Sequence, residues 1–187
     1  METMECILTR RSIRSFIPDK EIAEETMRQL MEAVRWAPSW ANTQTWEVVV
    51  VKDRDLKQKL VDAAGANRAA QAILDACAVM VFCSRRGIAG AKQGEYSTNK
   101  GDWYMFDCAL AAQNFCLAAH SMGLGTVYIG RFEHRQVDTL LGLPQGIESV
   151  VMIPLGYPAV KEVKAPPRKA SSEFVHAERF GRRYFEG

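Results

Sequence analysis

Hydrophobic and polar positions along the chain switch between helical and strand-like periods, and those switches divide it into elements. From Glu21 to Trp36 the apolar residues Met27, Leu30, Met31 and Val34 recur at helical spacing, with Asp19 after Pro18 as the start signal. This predicts a surface helix with one buried stripe. Glu47 to Lys52 carries four consecutive valines, too short a run for a helix and rich in β-branched side chains, and predicts a central strand. Asp53 is placed to cap a second amphipathic helix built on Leu56, Leu60 and Val61. A third helix around Asn67 to Leu74 leads into a strand over Ala78 to Cys83.

The period is then lost. Ser84 to Gly101 holds four glycines and mixed charges, and a connection of this length within a domain predicts a lid or substrate-facing excursion. From Asp102 the chain turns helical again. The stretch Trp103 to Met122 is apolar on nearly every face, with Gly123 just past its end, which places it at a domain centre or in a dimer interface. A strand (Thr126 to Ile129), a short helix (Glu133 to Leu141), a strand (Ser149 to Leu155) and the turn Gly156-Tyr157-Pro158 follow. The tail from 159 to 187, with its proline pair, is expected to be ordered by packing on another subunit. No repeat or internal boundary divides the chain, so residues 1–187 are expected to form one domain.

Composition narrows the class. A chain of 187 residues with 48% hydrophobic content can bury one substantial core. Lys+Arg of 24 against Asp+Glu of 22 leaves a formal charge of +2, too balanced for a chain that works by neutralising nucleic-acid phosphates. The five cysteines form no C-x-x-C pair, which fits a reducing cytosol and a cytoplasmic location better than a disulfide framework. The N-terminus lacks the apolar region of a signal peptide. Asp107, Gln113, Asn114 and His120 interrupt the longest apolar run, so a membrane span is not expected. His120, His134 and His176 are too scattered to form a metal site.

Against this balance the segment RRSIR, Arg10 to Arg14, stands out, with three guanidiniums and a hydroxyl in five residues. It has two readings. Basic residues at the end of a first helix satisfy its last carbonyls and its dipole; arginine forks also match phosphate oxygens bidentately. Ala37 to Val51 runs from a polar loop into a buried strand, and its Asn42 and Gln44 offer donors and acceptors in one plane, as a heteroaromatic edge requires. Together the two segments point to a flat, phosphorylated cofactor. The glycines Gly123, Gly125 and Gly130 follow a helix and precede a strand, the reverse of a dinucleotide-fold fingerprint. Gly123 reads as a helix cap, while Gly130 marks a place where backbone can approach a ligand closely. No nucleophile elbow, P-loop or Cys/His signature is present, so no catalytic side chain is assigned and the chemistry is expected to come from a cofactor.

The segments ILTRRSIRSF, APSWANTQTWEVVVV, QAILDACAVMVFC, FDCALAAQNFCLAAHSMGLGTVYIG, SVVMIPLGYP and PPRKASSEFVHAERFG occur in the order seen in the nitroreductase family of FMN-dependent oxidoreductases, and the chain resembles that family nearly end to end. The resemblance implies an α+β fold, a three-layer α/β/α sandwich around a mostly antiparallel central sheet, assembled as a homodimer. It implies that Arg10, Arg11 and Ser12 hold the FMN phosphate and ribityl chain, with Arg14 near the pyrimidine edge, and that Arg168 is a second phosphate contact. Pro38, Ser39, Trp40 and Asn42 would be supplied by the other subunit. Gln71 would address the pyrimidine edge, and backbone at Ile129 and Gly130 would approach the hydride-accepting nitrogen.

The implied activity is hydride transfer from NADH or NADPH through FMN to an electron-poor small-molecule acceptor such as a nitroaromatic or quinone, by a ping-pong cycle. Two alternatives are a flavin-storage module without significant turnover and a member resembling the reductive dehalogenases of the same fold. Two positions depart from the family pattern. Trp40 replaces a small polar residue and either narrows the pocket or packs in the dimer interface, and Thr45 replaces a proline. Trp103, Tyr104 and Phe106 have two readings, as a wall of the flavin face or as core packing of their helix, and helical spacing favours the second.

Overall fold

A computed structural model of the chain describes residues 1–160 and 162–185; Lys161, Glu186 and Gly187 of the predicted tail lie outside the described residues. Four strands, β1 (Trp46–Val51), β2 (Ala78–Arg85), β5 (Gly125–Thr126) and β6 (Ile147–Gly156), form one sheet in the order β1-β2-β6-β5 with antiparallel pairings. A two-stranded hairpin, β3 (Ala91–Lys92) and β4 (Glu95–Tyr96), stands apart from it.

The inner strands β2 and β6 are buried on both faces, and strand alternation sorts their side chains into two cores. Val79, Val81 and Cys83 of β2 and Met152 of β6 face one layer, with Leu60, Ala72, Ile73 and Val137. That layer consists of α3 (Arg54–Ala64), α4 (Ala70–Asp75) and α6 (His134–Leu140). Ala78, Met80 and Phe82 of β2 and Val151, Ile153 and Leu155 of β6 face the other, with Leu30, Val34, Ala112, Phe115 and Cys116. The second layer is α2 (Glu24–Arg35) and α5 (Tyr104–Ser121). This is the expected α/β/α sandwich. Burial on both sides explains why β2 reads as an unbroken apolar run.

Local chemistry sets the element ends. Asp53 caps α3, its side chain accepting the Leu56 N–H at 2.8 Å. Lys57, itself buried, sends its ammonium to the Ala76 carbonyl just past α4, satisfying a group the helix leaves open. Burial holds its pKa below the ordinary lysine value. Gly123, at φ +77, turns the chain out of α5 as expected.

Three expectations are corrected. The valine-rich strand β1 is not central: among the described residues it pairs only with β2 and lies at the sheet edge, leaving Val50 43% exposed. Valine content reports burial of a pleated surface, which an edge strand shares. Asp19 does not start α2; it sits in a left-handed turn (φ 55), and the helix begins after Ala23 without a side-chain cap. The 84–101 excursion begins later than its sequence suggests, because Ser84 and Arg85 continue β2, and it contains the β3–β4 hairpin. Two short helices, α1 (Thr3–Thr9) and α7 (Ser171–Phe174), complete the order.

Replacing Asp53 by Ala is expected to cost about 1 kcal/mol, and Phe115→Ala, fully buried against the sheet, about 3–5 kcal/mol. Urea denaturation checks both, and equal costs would contradict the assigned burial.

Candidate functional site

The arginine segment follows α1 directly, so both of its sequence readings are realised. Arg11 Nη1 donates to the carbonyls of Leu8 at 2.7 Å and Arg10 at 2.8 Å, closing the end of the helix. Two further donors differ: Arg10 Nη1 and Arg11 Nε are buried with no hydrogen-bond partner among the described residues. Buried guanidinium donors left open are costly, and an anion is the partner that relieves them. The donor set therefore fits the phosphate of FMN.

Other elements converge on the same place. Ser12 forms a parallel bridge with Thr126, and the Ile13 N–H donates to the Thr126 carbonyl at 2.9 Å, laying the segment along β5. Gly125 makes this approach possible, because a Cβ there would lie 2.8 Å from Ile13 Cβ. His120, near the end of α5, contacts Thr9 Oγ1 at 2.8 Å. Burial first, then the charges of Arg10 and Arg11, hold its pKa below the ordinary histidine value. Tyr128, whose hydroxyl donates to Gln113 Oε1 at 3.2 Å, lies within the field of Arg10, and burial raises its pKa strongly.

Beyond Tyr128 the backbone separates the two predicted neighbours. The Ile129 N–H is spent on the Met152 carbonyl at 2.9 Å, and the Ile129 side chain is buried in the core. Ile129 therefore has no free N–H for a ligand. The Gly130 N–H makes no backbone hydrogen bond among the described residues, and a Cβ there would meet nothing within 4 Å. Gly130 alone presents open backbone.

Gln71 is not brought to this cluster. It is exposed on α4 and donates to Asp75 Oδ1 at 2.9 Å, facing a cleft of about 650 Å³ shared with Lys20, Lys52 and Lys57. The polar side chain the fold delivers beside Gly130 is Asn67, whose Nδ2 donates to the Arg131 carbonyl at 3.0 Å. Arg14 is exposed and reaches only the Ser12 carbonyl, at 3.4 Å. Arg168 is also exposed, its guanidinium donating to the Pro166 carbonyl two residues earlier at 3.4 Å.

Pro38, Ser39, Trp40 and Asn42 form a second group, at the other end of α5. The Trp40 N–H donates to Asp107 Oδ1 at 3.0 Å, and the Trp40 ring packs on Trp103 with centroids 5.2 Å apart. Trp40 thus pairs within its own chain. Phe106 stacks edge-on to Trp103 at 5.3 Å. None of Trp103, Tyr104 and Phe106 is buried, so the core-packing reading does not hold for them. Thr45, where the family pattern has proline, is buried and receives a 2.9 Å hydrogen bond from Ser84 that pins the loop to β2.

Residues 7–70 and 63–157 match the model of the nitroreductase family. The chain is 35% identical over 187 residues to an NADPH-flavin oxidoreductase of Vibrio harveyi, covering 95% of this chain and 74% of that protein. It is 32% identical over 177 residues to an FMN reductase [NAD(P)H] of Bacillus subtilis, covering 88% and 69%. The crystal structure of nitroreductase A from Vibrio parahaemolyticus superposes with a TM-score of 0.79 at 32% identity, covering 96% of this chain and 77% of that one. The chain belongs to the nitroreductase family. Among the described residues, no helix is long and apolar enough to cross a membrane.

The five cysteines are free, and four are buried. Desolvation pushes the Cys83 and Cys108 thiols up to about 12, so their thiolate populations are negligible at neutral pH. Iodoacetamide at pH 8 is expected to label half-buried Cys77 in the folded protein and to spare Cys83 and Cys108. Peptide mass spectrometry reads this, and comparable labelling of all three would contradict the burial.

Proposed function

We propose that the chain acts as a homodimeric, FMN-dependent oxidoreductase that takes hydride from NADH or NADPH and reduces an electron-poor acceptor such as a nitroaromatic or quinone in a ping-pong cycle. The observation that carries this reading is the pair of buried, unpartnered guanidinium nitrogens on Arg10 and Arg11. FMN supplies the hydride chemistry when bound, which is why no nucleophile or metal is required. Arg10, Arg11 and Ser12 hold its phosphate and ribityl chain. Arg14 lies toward the pyrimidine edge, where a guanidinium favours the negative charge gained on reduction. Asn67 takes the place assigned to Gln71, and the Gly130 N–H is the donor left to orient the reactive nitrogen.

Pairing of two chains follows from the positions of the two groups. Asp107, which anchors the Trp40 loop, and His120, which borders the arginines, are thirteen positions apart on α5, or about 20 Å along the axis. One cofactor cannot rest on both groups of the same chain. The outer face of α5 exposes Met105 (56%) and Phe106 (55%), and α1 beside it exposes Met4 and Leu8. An apolar face of this kind marks an interface. Two-fold pairing across α5 sets each helix against its reversed copy and brings the Trp40 loop of one protomer to the arginines of the other. The tail, with Arg168 and the exposed Phe174, Phe180 and Tyr184, packs on the second protomer, and residues 84–101 act as the lid. The single 1–187 domain is assigned to the cytoplasm.

Initial rates against NADH or NADPH at several fixed concentrations of p-benzoquinone are expected to give parallel reciprocal plots, and converging lines would contradict the sequential use of one site. Arg10→Ala is expected to weaken FMN binding about 10- to 100-fold, the loss of a charged hydrogen-bond donor. Fluorescence titration with FMN checks it, and unchanged affinity would remove the arginines from the site.

A further inference from the structure

Asp107 lies in the first turn of α5, and although it is 0% exposed it serves no helix cap. Its two oxygens instead reach across to another loop. Oδ1 accepts the Trp40 N–H at 3.0 Å and Oδ2 accepts from Thr43 Oγ1 at 3.3 Å, so one carboxyl group clasps both ends of the Trp40–Thr43 turn.

That turn is strained. Ala41 (φ 45), Asn42 (φ 58) and Gln44 (φ 47) are all left-handed without being glycine, a conformation that persists only where the surroundings over-determine it. Ser39 Oγ closes the loop from within by accepting the Gln44 N–H at 3.0 Å. Asp107 and the Trp40–Trp103 ring pair are what tie it to α5. The same clasp extends to the lid. Trp103 Nε1 donates to Thr98 Oγ1 at 3.2 Å, its N–H donates to the Ala89 carbonyl at 3.0 Å, and a Cβ on Gly90 would lie 2.7 Å from its ring.

We propose that Asp107 is a positioning residue for the active site of the opposite protomer: its buried carboxyl group fixes the Trp40–Gln44 turn in the strained shape that presents Ser39, Trp40 and Asn42 to the cofactor held by the other chain's arginine cluster. The inference rests on the homodimeric FMN reading above. Removing the carboxyl leaves two part-buried donors unmet and frees the turn to relax. Asparagine keeps one acceptor oxygen for Trp40, and the Thr43 hydroxyl can rotate to accept from its amide, so Asp107→Asn should rescue what Asp107→Ala loses.

The test uses full-length protein and FMN. Asp107→Ala dimers are expected to bind FMN at least about tenfold more weakly than wild type, with Asp107→Asn within about threefold of wild type. A purely structural role would damage a chain's own site, so the decisive sample is the heterodimer of one Asp107→Ala chain and one Arg10→Ala chain, isolated by two affinity tags. Action across the interface leaves one of its two sites intact, and it should bind FMN tightly at about half the wild-type stoichiometry. No recovery in the heterodimer, or wild-type affinity in Asp107→Ala dimers, overturns the proposal. If Asp107→Ala does not fold, Thr43→Val, which removes only the Oδ2 contact, is expected to show the same pattern at about threefold, and its failure to do so overturns the proposal equally. Failure of wild-type protein to bind FMN is a separate result, and overturns the reading on which this one rests.

Discussion

The helix α5 carries apolar side chains around nearly its whole circumference, whereas the sheet and α2 cover only one side of it. Cys108, Ala112, Phe115, Cys116 and Ala119 fill the inner face, and Met105, Phe106 and Ala109 are left in water. Burying an apolar surface is the dominant favourable term available to a chain of this size, and a helix exposed in this way needs a second surface. The arginine cluster sits at one end of α5 and the strained Trp40 loop at the other, and in the proposed dimer one reversed copy would both cover the open face and complete the site.

The site itself is built from groups that cost free energy. Open donors on Arg10 and Arg11, the left-handed Asn42 and Gln44, and the buried carboxyl of Asp107 each disfavour the isolated chain. Such features occur together where function requires a fixed geometry, and the surrounding sandwich, closed by two cores on one sheet, is rigid enough to carry them.

How much of this was legible in the sequence follows from which interactions are local. The helices and strands could be read because β2 and β6 are buried on both faces and α2 and α3 on one, which fixes the period. The Asp53 cap could be read because its partner is three residues away. The position of β1 could not, because four valines look alike at the edge and at the centre of a sheet. Gln71 was singled out on resemblance alone, whereas Asn67, read only as the start of a helix, is the residue whose side chain reaches the Arg131 carbonyl beside Gly130. The pairing of the Ile129 N–H with Met152 was not legible either, because it spans 23 positions. Asp107 entered the sequence reading only as an interruption in an apolar run, since its partners Trp40 and Thr43 lie more than 60 residues earlier.

The central claim, that this fold holds FMN and reduces it with a pyridine nucleotide, is tested most directly by an anaerobic titration of the FMN-loaded protein with NADH and, separately, NADPH. The flavin absorbance at ~450 nm, a property of the cofactor, is expected to be lost on addition of about one equivalent of at least one donor per bound flavin. A band that persists with both donors would contradict it.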